Sequence, residues 1–102
     1  MPALNTVQLG KGGALMSSGA TCTAGHGDNQ VVVDASQCTN NSYATAGVCE
    51  FQKGDAFLGS AVLAVYNVVP GQPKKGQCTV IVNSGWKDPI EIKVSVIYTA
   101  AG

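Results

Sequence analysis

Arginine is missing from this 102-residue chain, and charge of either sign is scarce. Six lysines stand against six Asp and Glu, so 12% of residues are charged and the formal net charge is zero. Soluble domains ordinarily carry about a quarter of their residues as charges. Without Arg there is no planar fork to grip phosphate or carboxylate bidentately. Lys74-Lys75 is a poor footprint for nucleic acid, which asks for a basic surface with aromatic platforms. A solvated loop that keeps a sheet edge from aggregating explains these two lysines better. A surface near zero net charge also repels its neighbours only weakly.

Long apolar runs are lacking too. The longest, residues 56–69, is interrupted by Gly59, Ser60 and Asn67 and falls short of the roughly 20 residues a membrane helix needs. Met1-Pro2-Ala3 opens the sequence without the basic and apolar regions of a secretory signal. Aromatics are few: Phe51, Phe57, Trp86, Tyr43, Tyr66 and Tyr98.

Chemistry-bearing patterns are likewise thin. His26 is the only histidine. A triad needs it beside a nucleophile and an orienting carboxylate, yet it sits in Gly25-His26-Gly27, which reads as a flexible turn, and Asp28 is too near in sequence to be presumed the orienter. Asp34, Glu50, Asp55, Asp88 and Glu91 form no recognisable acid/base pair. Gly10-Lys11-Gly12-Gly13 lacks the spacing and following helix of a phosphate loop. We therefore expect no catalytic residue, no cofactor and no enzyme activity.

What is present begins with four cysteines, Cys22, Cys38, Cys49 and Cys78. In an oxidising compartment a domain of this size is expected to form two disulfides from them, with three possible pairings. Reduced, buried thiols are the plainer alternative. A zinc site from Cys22, His26, Cys38 and Cys49 is disfavoured, because no C-x2-C pair exists; we expect no metal.

The strand signal is strongest at the C-terminus. Ile90, Ile92, Val94, Val96 and Tyr98 alternate with Glu91, Lys93, Ser95, Ile97 and Thr99; Cys78, Val80 and Val82 alternate with Gln77, Thr79, Ile81 and Asn83. The turn residues 84–89 between them predict an antiparallel hairpin with a long loop. Residues 56–69 read as one long strand buried on both faces, with a bulge near Gly59, and 70–76 as an exposed loop. Further strands are expected over 3–9, 14–18, 20–23, 30–35 and 45–52, with a polar loop over 36–43. Seven or eight short strands with frequent turns predict one all-β domain over 1–102, an antiparallel β-sandwich or jelly-roll-like fold. Its core is expected to be thin and built from small side chains.

Most charges fall in the predicted turns or at strand ends, leaving the sheet faces nearly bare. Ile81 and Ile97 keep apolar side chains on outward faces. The leading expectation is a non-enzymatic structural or assembly subunit, such as a capsid, capsid-decorating or surface-filament protein. It would be a homo-oligomer or part of a larger assembly, extracellular or virion-associated. A carbohydrate-binding module is the alternative: Trp86 in its loop, with Asn83, Asp88, Tyr43 and Asn40, has the aromatic and polar groups of a sugar site. The plainer reading of Trp86 is a ring folded over the end of the sandwich as a core plug. Asn40-Asn41-Ser42 also matches the N-glycosylation acceptor pattern. A disulfide-stapled protease inhibitor presenting residues 70–76 is the third reading.

Overall fold

The computed structural model describes residues 14–57, 59 and 61–100. The expected strand over 3–9 and the glycine-rich turn after it lie outside these. The described chain is all-β, with seven strands: β1 (Leu15–Ala24), β2 (Gly27–Asp34), β3 (Ala44–Gln52), β4 (Asp55–Phe57), β5 (Leu63–Pro70), β6 (Gln77–Ser84) and β7 (Ile90–Thr99). They form two antiparallel sheets, sheet A in the order β1-β7-β3-β4 and sheet B in the order β2-β6-β5. Among the described residues no helix is long and apolar enough to cross a membrane.

The organising unit is a two-stranded ribbon. Residues 15–24 pair with 90–99 in sheet A, and residues 27–34 pair with 77–84 in sheet B. Both strands of the ribbon cross between sheets at one corner, through Gly25-His26 on one side and 85–89 on the other. The His26 turn, expected to be flexible, is tied by Asn29. Its amide donates to the carbonyls of Gly25 (2.8 Å) and Gly27 (3.0 Å), and its Oδ1 accepts from Gly25 N (3.0 Å). Gly27 lies at φ +94°, where an L side chain is strained.

The corner also corrects the expected 77–83/90–99 hairpin. β6 and β7 lie in different sheets and do not pair. Each carries one apolar face, and setting those faces opposite one another buries both.

The two inner faces share one core. Val33, Cys38, Cys78, Val80, Val82, Ile92, Val94 and Val96 are fully buried, and Tyr98 nearly so. Each such valine contributes about 1.5–3 kcal/mol relative to exposure. The core is built from small side chains, as its composition implied, with Tyr98 its one buried aromatic among the described residues. The Tyr98 hydroxyl donates to Ser36 O at 2.7 Å, tethering the loop after β2.

Residues 56–69 are not one strand. β4 ends at Phe57, and the chain crosses to sheet B before β5 begins at Leu63. Gly59 lies against the Glu50 carboxylate, which a side chain there would have to displace, and Ala61 N donates to Glu50 Oε2 at 3.3 Å. The bulge falls later, between Val65 and Asn67, and leaves Tyr66 exposed. The two short strands expected around Gly19 are one ten-residue strand, β1.

Candidate functional site

The outward positions of sheet A make a sparsely charged surface. Register places Gly19 opposite Ser95 on one side and Gly47 opposite it on the other. The flanking rows are Ser17–Ile97–Thr45 and Thr21–Lys93–Cys49. Lys93 and Glu91 alternate with buried Ile92, so both project outward, and their opposite charges leave the face neutral. A Cβ built on Gly47 meets nothing within 4 Å.

At one end this face opens into an apolar groove of about 270 Å³, lined by Leu15, Tyr43, Ala44, Thr45, Ile97, Tyr98 and Thr99. Leu15 is 70% exposed, Ile97 48% and Tyr43 47%. The edge strand β1 pairs with β7 through ten consecutive residues without a bulge, and it contains neither charge nor proline. Lysines, prolines and bulges are the usual guards against edge-to-edge pairing. In the ladder β1 is bonded on its β7 side; toward sheet B the Ser18 hydroxyl donates to Asp34 O.

Sheet B dresses its outer face differently. Asn83 Nδ2 donates to Asp28 Oδ1 (2.8 Å) and Gln77 Nε2 to Asp34 Oδ1 (3.2 Å), each across paired strands. The loop after β5 folds back over the sheet: Gly71 N donates to Gln77 O (2.8 Å), and the Thr79 hydroxyl donates to Gln72 O (2.8 Å). This loop, considered above as an inhibitor loop, is thus tied at Gly71 and Gln72, while residues 72–75 stay exposed.

The five residues grouped as a sugar site fall into two sets. Trp86 and Asp88 lie in the corner loop, next to Asn83 at the end of β6. Trp86 is 38% exposed, so it does not plug the core, and its backbone N–H donates to Ser84 Oγ at 3.3 Å. Asn40 and Tyr43 belong to the opposite end: the backbone of Asn40 packs on Gly71, and Tyr43 exchanges hydrogen bonds with Thr99 at the far end of β7. Six residues of extended strand separate Asn83 from Gln77, about 20 Å. Ser42 of the glycosylation pattern is buried, its Oγ accepting from Thr39 N at 3.0 Å.

All four cysteines are free thiols, which corrects the expected pair of disulfides. Cys22 points inward opposite Ile92, whereas Cys49 points outward opposite Lys93, so β7 and the sheet itself separate them. Burial raises the Cys22 thiol pKa above the ordinary thiol range. Among the described residues no three His, Cys, Asp or Glu side chains converge, and Cys22, His26, Cys38 and Cys49 do not assemble a tetrahedral set.

Leu15, Gly19 and Gly47 were absent from the candidates drawn from sequence. Alternation through 90–99 put Ser95 and Ile97 outside, but the strands beside them emerge only from the register. Neither a family model, nor a curated protein, nor a solved structure matches this chain.

Proposed function

We propose that this chain is a non-enzymatic structural or assembly subunit that packs against other copies through the outer face of sheet A. The observation that carries this is the neutral Gly19–Ser95–Gly47 face, continuous with the exposed Leu15, Tyr43 and Ile97. Small side chains let another surface approach closely, and the few charges impose little desolvation cost. Three strands at about 4.8 Å spacing and about 30 Å length give roughly 400–500 Å². A standard interface buries about 800 Å² per partner. One such face therefore supports a weak contact, and lasting assembly needs several contacts per subunit, as in a shell or filament. A capsid, capsid-decorating or surface-filament role, extracellular or virion-associated, follows from this reading.

The finer fold reading is a jelly-roll-like sandwich. A ribbon that bends from one sheet to the other, giving the orders 1-7-3 and 2-6-5, supports it. Among the described residues the seven strands are one short of the usual eight.

Sedimentation velocity over a concentration series from about 1 µM to 1 mM tests the function. Species heavier than a monomer, growing with concentration, are expected. A strict monomer throughout, with no binding to any particle, contradicts the proposal. The second reading, a glycan-binding module, has in its favour the partly exposed Trp86, which shares the corner loop with Asp88. A glycan-array signal abolished by Trp86→Ala would support it.

A further inference from the structure

The three ways of pairing four cysteines are unequal in this fold. Cys78 lies in β6, the central strand of sheet B, with Val33 opposite on one side and Pro70 on the other. Cys38 arrives from the loop after β2 and is fixed there by backbone bonds. Its N–H donates to Ala35 O (3.0 Å), its carbonyl accepts from Gly76 N (2.7 Å), and Ala35 N donates to Gly76 O (2.8 Å). Gly76 is two residues from Cys78. Both cysteine side chains have zero exposure and belong to the same core cluster. The Cys38 thiol lies near enough to Cys78 to contribute to raising its pKa.

No other combination is comparably placed. Cys22 and Cys49 look out of opposite faces of sheet A. Cys22 precedes the corner turn by two residues, whereas Cys78 sits at the other end of the ribbon, opposite Val33. Disulfides require Cα atoms within about 7 Å and converging Cβ directions.

We propose that Cys38 and Cys78 close a single intramolecular disulfide when the chain folds under oxidising conditions, pinning the 35–42 loop to sheet B, while Cys22 and Cys49 remain thiols. The oxidant is a low-molecular-weight disulfide such as oxidised glutathione. One cysteine thiolate attacks a glutathione sulfur, forming a mixed disulfide and releasing one glutathione thiolate. The second cysteine thiolate attacks the cysteine sulfur of that mixed disulfide and releases the other. Two protein thiols and one oxidised glutathione thus become one protein disulfide and two reduced glutathiones.

The exchange belongs to folding rather than to the finished fold. Burial first, and the neighbouring Cys38 second, push the Cys78 thiol up to about 11, so the folded protein offers no thiolate and no path for the oxidant. In closing the bridge the sulfurs approach to about 2.05 Å, and the loop moves rather than the doubly paired strand.

The test uses the full chain carrying Cys22→Ser and Cys49→Ser, refolded from denaturant with reduced and oxidised glutathione. The expected product is monomeric, two hydrogens lighter, and melts about 10 °C or more above its reduced form, since the bridge closes a loop of about 40 residues. In the unsubstituted chain, cleavage after Asp34, Tyr43 and Tyr66 puts each of the four cysteines on its own peptide, and the Cys38 peptide is expected joined to the Cys78 peptide. A glutathione adduct, a bridge between chains, a bridged form that melts no higher than the reduced one, or a bridge containing Cys22 or Cys49 overturns the assignment. If the double variant fails to fold, the map of the unsubstituted chain decides.

Discussion

The outer faces of the two sheets treat their polar groups in opposite ways. On sheet B the groups bond to one another: Asn83 holds Asp28, Gln77 holds Asp34, and Thr79 reaches the carbonyl of Gln72 in a loop folded over the strands. On sheet A the corresponding positions are Gly, Ser and Thr with little to bond to, beside an exposed leucine, tyrosine and isoleucine. Sheet B's outer face is partly covered by its own chain, with Val32 and Tyr66 still exposed, whereas no loop folds over the described face of sheet A. The same composition thus yields two surfaces, and the register decides which is which.

That contrast can be probed by breaking what finishes sheet B. The largest effect is expected from Gly71→Ala. Gly71 has φ +74°, and a Cβ there would overlap the backbone of Thr39 and Asn40. Strain and clash together predict a loss of about 3 kcal/mol or more in denaturant unfolding. Next comes Tyr98→Phe, which removes the hydroxyl that tethers Ser36. Leaving that carbonyl without its donor predicts a loss of about 1–2 kcal/mol by the same measurement. The Gly71 change lies in the loop after β5, and the Tyr98 change removes only a hydroxyl bonded to Ser36 O, so both should leave association of the remaining folded protein intact.

A smaller effect is expected from alkali. The Cys78 thiol is held above its ordinary value by burial and by Cys38, up to about 11, and burial with the two cysteines also raises Tyr98. The unfolded chain releases these protons first. Stability is therefore complete below about pH 8.5, the unfolded thiol value. It is lost as pH rises toward 11. Urea midpoints between pH 8 and 11 check this, and Cys78→Ser should flatten the decline.

Much of the fold was legible because period-2 alternation survives wherever one strand face is buried. Residues 45–52, 77–83 and 90–99 were read nearly at their observed bounds for that reason. Partnering was not legible. Alternation says which side of β6 and β7 is apolar, but not whether they lie side by side or face to face. Gly59 drew attention as a bulge, whereas its role depends on Glu50, nine residues away and unseen by local pattern. The candidate surface was half legible: Ile97 announced an apolar outward face, while Gly19 and Gly47 gained meaning only from lying opposite Ser95. The cysteine arithmetic allowed three pairings, and only the folded chain distinguishes them.

The central claim is that sheet A, and not sheet B, is the surface that meets other copies. A matched pair of substitutions tests it: Gly47→Arg in the middle of sheet A's open face, where a side chain meets no neighbour, and Asn67→Arg on the exposed outer side of sheet B. Both add one positive charge. Native mass by sedimentation equilibrium, at a concentration where the unsubstituted protein associates, is expected to fall to that of a monomer for Gly47→Arg, with at least a tenfold weaker association, about 1.4 kcal/mol. Asn67→Arg is expected to keep the parent's mass. Loss of association with Asn67→Arg and its retention with Gly47→Arg would contradict the account.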